Sequence, residues 1–156
     1  IGDPQVLAVI RSALTTLKVA AEQIVFEITE DVAISDLDKA KYFLAELRAM
    51  GFKTALDDFG VGYSSFSYLR ELDVDYVKID GSFIGTMHED ELNYALVKAI
   101  NDVCHILGKQ TIAEYVQNEE TMKMLAEIGV NYAQGYNIAV ASGYDQLTIQ
   151  FRLSGR

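Results

Sequence analysis

The chain alternates between two periodicities, and that alternation limits its fold more than any single residue does. Short runs rich in β-branched and aromatic residues (QIVFEITE, FKTALDDFG, VDYVKID, QTIAEYV and VNYAQGYNI) are separated by stretches whose apolar residues recur at helical spacing. The runs begin roughly 20–35 residues apart, the spacing of a βα repeat, so five parallel strands joined by crossover helices are expected. Periodicity alone leaves two α/β architectures open: a doubly wound open sheet and a (β/α) barrel.

The intervening stretches carry their own start and stop signals. Asp3 and Pro4 open a helix with Val6, Leu7, Ile10, Ala13, Leu14 and Leu17 on one face. Ser35 with Asp38 reads as a capping box ahead of Leu37, Ala40, Leu44 and Leu47, and Gly51 stands where that helix should end. A short helix is expected around SSFSYLREL. Residues 91–107 place Leu92, Leu96, Ala99, Ile100, Val103 and Leu107 on the face expected to be buried, with Gly108 as the stop. Asn118 is expected to cap the helix EETMKMLAEIG, whose first turn holds Glu119 and Glu120 where the dipole favours them.

Length and composition fit one domain over residues 1–156, since half of the residues are apolar. No run approaches the roughly 18–20 apolar residues of a membrane helix, and the first residues lack the pattern of a signal peptide. The chain therefore reads as soluble, unexported and cytoplasmic. Thirteen basic against 23 acidic residues give a net charge of −10, the wrong sign for gripping duplex phosphates. An acidic chain can still take a phosphorylated ligand where its carboxylates hold divalent cations, because the ions reverse the local field. The single cysteine, Cys104, lies on a helical apolar stripe and reads as a small buried hydrophobe. His88 and His105 stand away from the strand ends and do not read as catalytic.

Buried parallel strands should be almost continuously apolar, so their charges need a reason. Here every run carries a polar residue near its carboxyl end: Glu27, the pair Asp57 and Asp58, Lys78 with Asp80, Glu114, and Gln134. Side chains at the carboxyl ends of parallel strands converge on one mouth. The four carboxylates Glu27, Asp57, Asp58 and Glu114, gathered there, must shift their pKa values or share cations. Adjacent aspartates suit a two-ion site in which one carboxylate bridges, and an all-oxygen donor set favours Mg²⁺ or Mn²⁺ over zinc. Lys78 is the one cation of the set, able to position water or a phosphate oxygen or to form an ion pair with a carboxylate.

FEITE, LDDFGVGYSS, VKID, AE and QGY, in this order and spacing, closely resemble the EAL-domain family. The match runs over about residues 3–138, with 139–156 as a divergent tail. The resemblance implies a modified (β/α)₈ TIM-type barrel that hydrolyses cyclic di-GMP to pGpG with two Mg²⁺ or Mn²⁺ ions. It makes Glu27 a ligand of the first ion, Asp57 the bridge, and Asp58 and Glu114 ligands of the second. Lys78 and Gln134 would orient or activate the hydrolytic water. Glu30 would anchor a mobile loop of Phe59, Gly60, Val61, Gly62, Tyr63, Ser64 and Ser65, which in the family couples metal, substrate and dimerisation.

The departures carry information as well. The family's Glu-Ala-Leu stretch on its first strand and a ligand asparagine on its second do not occur here, so a partial barrel lacking the first strands is expected. The first ion would be under-liganded and a sheet edge left open, which a second copy of the chain, as a homodimer, or a longer parent protein would cover. Tyr115 and Gln117 stand where the family has glycine and glutamate. The alternative reading is a catalytically silent module that binds cyclic di-GMP or mediates dimerisation.

Overall fold

The computed structural model describes residues 4–17, 19–61 and 66–138. Five strands, β1 (Val25–Thr29), β2 (Lys53–Phe59), β3 (Tyr76–Ile79), β4 (Gln110–Ala113) and β5 (Tyr132–Ala133), alternate with helices. The helices are α1 (Pro4–Leu17), α2 (Glu30–Ser35), α3 (Leu37–Ala49), α4 (Phe66–Glu71), α5 (Gly81–Ile84), α6 (Glu91–Ile106) and α7 (Glu119–Ile128). All neighbouring strands are parallel, and they lie side by side in chain order from β1 to β5. A doubly wound sheet reverses its order at a switch point, whereas unbroken sequential order is the winding of a barrel wall. The architecture is therefore a partial TIM-type barrel, and the tail 139–156 lies outside the described residues.

The core lies between the sheet and its helices, where Leu44 and Leu47 of α3, Leu56 of β2, Val77 and Ile79 of β3, and Leu69, Leu72 and Leu125 are fully buried. Strand alternation points Ile28 and Leu56 into this layer and turns their neighbours Val25, Glu27 and Ala55 to the concave side. The parallel pairs Glu27↔Ala55, Ala55↔Tyr76 and Lys78↔Ile112 bring the strand ends to one rim, so polar side chains gather at one end of the wall.

Helix ends follow side-chain chemistry. Asn118 accepts from the Thr121 N–H at 2.8 Å, as its place in the sequence predicts. Ser35 does not cap α3: it closes α2 with its hydroxyl donating to the Val32 carbonyl at 2.8 Å, and Asp36 accepts from the Lys39 N–H at 3.2 Å instead. The extra helix α2 consumes the serine and moves the cap by one residue.

The buried face of α6 also differs from the expectation. Leu92 is 65 % exposed, Leu96 and Ala99 also face solvent, and the buried residues are Val97, Ile100, Asn101 and Cys104. The reason is polar: Asn101 donates to the Ile128 carbonyl at 2.9 Å and accepts from the Thr111 hydroxyl at 2.6 Å. A satisfied buried amide turns the helix toward β4, and a reading of apolar spacing alone places Asn101 outside. Cys104 is buried as expected, and burial pushes its thiol up to about 12.

Candidate metal centre

Successive residues of a regular strand point to opposite faces, so Asp57 and Asp58 could not both reach one pocket from an unbroken β2. The pairing of β2 with β3 slips between Leu56 and Phe59, and Asp58 takes a left-handed φ of 56°. This irregularity re-aims the second aspartate beside the first, a known use of bulges at strand ends. The Asp58 N–H donates to Asp57 Oδ1 at 3.1 Å, fixing the pair. Together with Glu114, one residue past β4, they bring three carboxylate oxygens to within 4.8 Å of one another.

Lys78 is the hub of this group. From β3 its Nζ lies 2.8 Å from Asp57, 2.8 Å from Glu114 and 3.0 Å from Glu27, and its side chain is only 5 % exposed. Burial alone would lower the ammonium's pKa, but the hydrogen bonds to Asp57, Glu114 and Glu27 overcome it and raise the pKa above its ordinary value. Lys78 is thus a donor at neutral pH. Burial lifts the Glu114 carboxyl above the usual range even against Lys78, with Asp57 and Asp58 adding to the rise. Asp58 is raised first by desolvation and then by Asp57 and Asp80.

Four carboxylates and one ammonium leave an excess of negative charge that hard divalent cations fit, and all the donors are oxygens. Asp57, Asp58 and Glu114 form the tight trio, while Glu27 is tied to them through Lys78. Gln134 is exposed, and its backbone ties the end of β5 to the end of β4: its N–H donates to the Ala113 carbonyl at 2.8 Å and its carbonyl accepts from the Val116 N–H at 3.0 Å. The next residue must be glycine, because a Cβ on Gly135 would lie 2.3 Å from the Val116 backbone.

Glu30, buried at the start of α2, accepts from the Gly60 N–H at 2.9 Å through Oε2 and from the Tyr68 hydroxyl through Oε1. Phe59 and Gly60 are thereby held against α2 and α4, with Val61 exposed beyond them. Gly62, Tyr63, Ser64 and Ser65 lie outside the described residues. The role of Tyr68 is not legible in the sequence, because an aromatic in a short amphipathic helix carries no signal that its hydroxyl reaches a carboxylate. Asp80, a strand-end charge in the sequence, caps α5 by accepting from the Ser82 N–H at 2.8 Å. His105 bonds Asn131 at 2.8 Å, next to the start of β4, and His88 lies near Thr121, so neither belongs to the cluster.

The profile of the EAL domain family matches residues 1–141. This chain belongs to the EAL family. It is 49 % identical over 120 residues to the cyclic di-GMP phosphodiesterase PdeB of Shewanella oneidensis, covering 77 % of this chain and 14 % of PdeB. Among solved structures it resembles the PaMucR phosphodiesterase in complex with c-di-GMP, at 32 % identity and a TM-score of 0.86, over 91 % of this chain and 57 % of that one. It also resembles Klebsiella pneumoniae BlrP1 in a manganese and cyclic di-GMP complex, at 30 % identity and a TM-score of 0.79, over 86 % of this chain and 34 % of that one. The chain thus spans a little over half of the first solved relative and a small part of the curated one. Among the described residues no helix is long and apolar enough to cross a membrane.

Proposed function

We propose that this chain carries the metal-binding wall of a phosphodiesterase site that opens cyclic di-GMP to linear pGpG. The observation that carries the reading is the trio Asp57, Asp58 and Glu114, with ligand oxygens within 4.8 Å, built around the buried Lys78 ammonium. Asp57, Asp58, Glu114 and Glu27 would hold two Mg²⁺ or Mn²⁺ ions, with Asp57 as the ligand common to both, Asp58 and Glu114 on one and Glu27 on the other. Bound there, the ions supply activation of water and screening of the phosphodiester charge.

The chain's own groups do the positioning. Lys78 stays protonated, and on giving up one of its three carboxylate partners it donates the freed N–H to an anionic oxygen of the phosphate or of the attacking water. Gln134 presents a neutral amide from the end of β5 to orient that water. Water attacks phosphorus, the bond to the 3′ oxygen breaks, and the departing oxygen takes up a proton, leaving a 5′-phosphate on the product. Glu30 holds Gly60 and so sets where the chain leaves β2 after Phe59. The reading places the chain within a cytoplasmic signalling protein that works as a homodimer.

A second reading is favoured by one observation: Lys78 already neutralises part of the cluster through three carboxylates, which lets the fold stand without ions. In that case the chain binds cyclic di-GMP and does not turn it over. Incubation with cyclic di-GMP and Mn²⁺ separates the two readings, with pGpG followed by chromatography and binding by calorimetry. Asp57→Asn should abolish Mn²⁺ binding as well as turnover. Absence of both binding and turnover in the parent chain and in one extended to full domain length would overturn both readings.

A further inference from the structure

Tyr115 follows Glu114 directly and adopts a left-handed backbone with φ 59°, a conformation that bulky side chains rarely take. Its side chain lies over the first turn of α5. A Cβ on Gly81 would fall 2.7 Å from Tyr115 Cβ and 3.3 Å from Cγ, and one on Gly85 would fall 3.8 Å from Cδ1, so glycine at 81 makes the seat. The residue nevertheless remains 53 % exposed. It is supported from below by backbone and open above, one residue from a metal-ligand candidate and beside the strand end that carries Lys78. Strained residues persist where surrounding structure holds them, and they cluster at ligand clamps.

We propose that Tyr115 is a stacking platform for a purine base of the dinucleotide whose phosphate the carboxylate cluster handles. This inference rests on the phosphodiester reading of that cluster and adds the recognition of the base. Every nucleobase has a π face, and an exposed aromatic beside a phosphate-handling site takes it without needing hydrogen-bond partners. The ring, and not its hydroxyl, makes the contact. Gly81 acts through the ring by leaving room for it.

The test is calorimetric titration of cyclic di-GMP in Ca²⁺ onto the full chain, three single variants and one double variant, with a thermal melt of each. Tyr115→Phe should bind as the parent does. Tyr115→Gly should bind roughly ten- to a hundredfold more weakly while melting no lower, since glycine suits the left-handed backbone. Gly81→Ala should also weaken binding, and should add nothing when combined with Tyr115→Gly. Equal affinity of parent and Tyr115→Gly would overturn the platform and leave the phosphodiester reading intact, as would Tyr115→Phe binding as poorly as Tyr115→Gly. A parent chain that takes up Mn²⁺ but no cyclic di-GMP would overturn the phosphodiester reading itself, and the platform with it.

Discussion

Lys78 holds together side chains that would otherwise repel. Its three partners are 17–44 % exposed, so water screens part of each contact. Loss of the ammonium should cost about 2 kcal/mol, below the usual cost of breaking a fully buried pair. We expect Lys78→Met to melt lower than the parent in EDTA and to recover most of the difference in Mn²⁺, because the ion takes over the ammonium's electrostatic role. A melt that Mn²⁺ does not shift would mean that the carboxylates hold no cation. Proton competition gives a second check. Folding raises the pKa values of Glu114 and Asp58, so they take up protons as pH falls before an ordinary carboxylate does. Mn²⁺ affinity, measured by calorimetry, should therefore fall on acidification from neutrality while most surface carboxylates are still ionised. By the same sign, the cation-free fold gains stability relative to the unfolded chain as pH falls through those raised values.

At the scale of elements, α6 shows where the sequence is misleading. Its exposed stripe of Leu92, Leu96 and Ala99 is as apolar as the buried one, and what decides between them is Asn101, bonded to Thr111 and Ile128. Val97→Ala should therefore cost about 2 kcal/mol in urea unfolding, whereas Leu92→Ala should stay within about 0.5 kcal/mol. The reverse order would mean that the helix packs through the other stripe. The strands were legible because a buried parallel sheet writes itself as apolar runs, and the site was legible because each run ends on a polar residue. What stayed hidden depends on contacts between residues distant in sequence. The hydroxyl of Tyr68 on Glu30 spans 38 positions, and the slip in β2 that turns Asp58 to the mouth appears only in its pairing with β3. The extra helix α2, which moves the cap of α3 from Ser35 to Asp36, begins directly after β1 with Glu30, whose carboxylate is held by Gly60 and Tyr68, both distant in sequence.

For the molecule as a whole, two tendencies oppose each other. Strand β1 pairs with β2 on one side, and among the described residues no strand pairs with its other side. Val25 on that edge is 43 % exposed, and an apolar hollow of about 140 Å³, lined by Leu14, Ile24, Phe26 and Phe52 among others, lies close by. An open edge next to apolar surface invites another strand. Against this stands a net charge of −10, which makes copies of the chain repel one another. Repulsion between exposed charges is screened within about 8 Å at physiological ionic strength and further at higher salt, while edge pairing and apolar burial are not weakened by salt. Association of the isolated chain should therefore strengthen from 50 mM to 500 mM NaCl in sedimentation velocity. Val25→Lys should return it to monomer at either salt with its melting temperature little changed, because the side chain is half exposed on the edge. Association that weakens with salt, or that survives Val25→Lys, would show that copies meet through charged helical surfaces and not through the open side of β1.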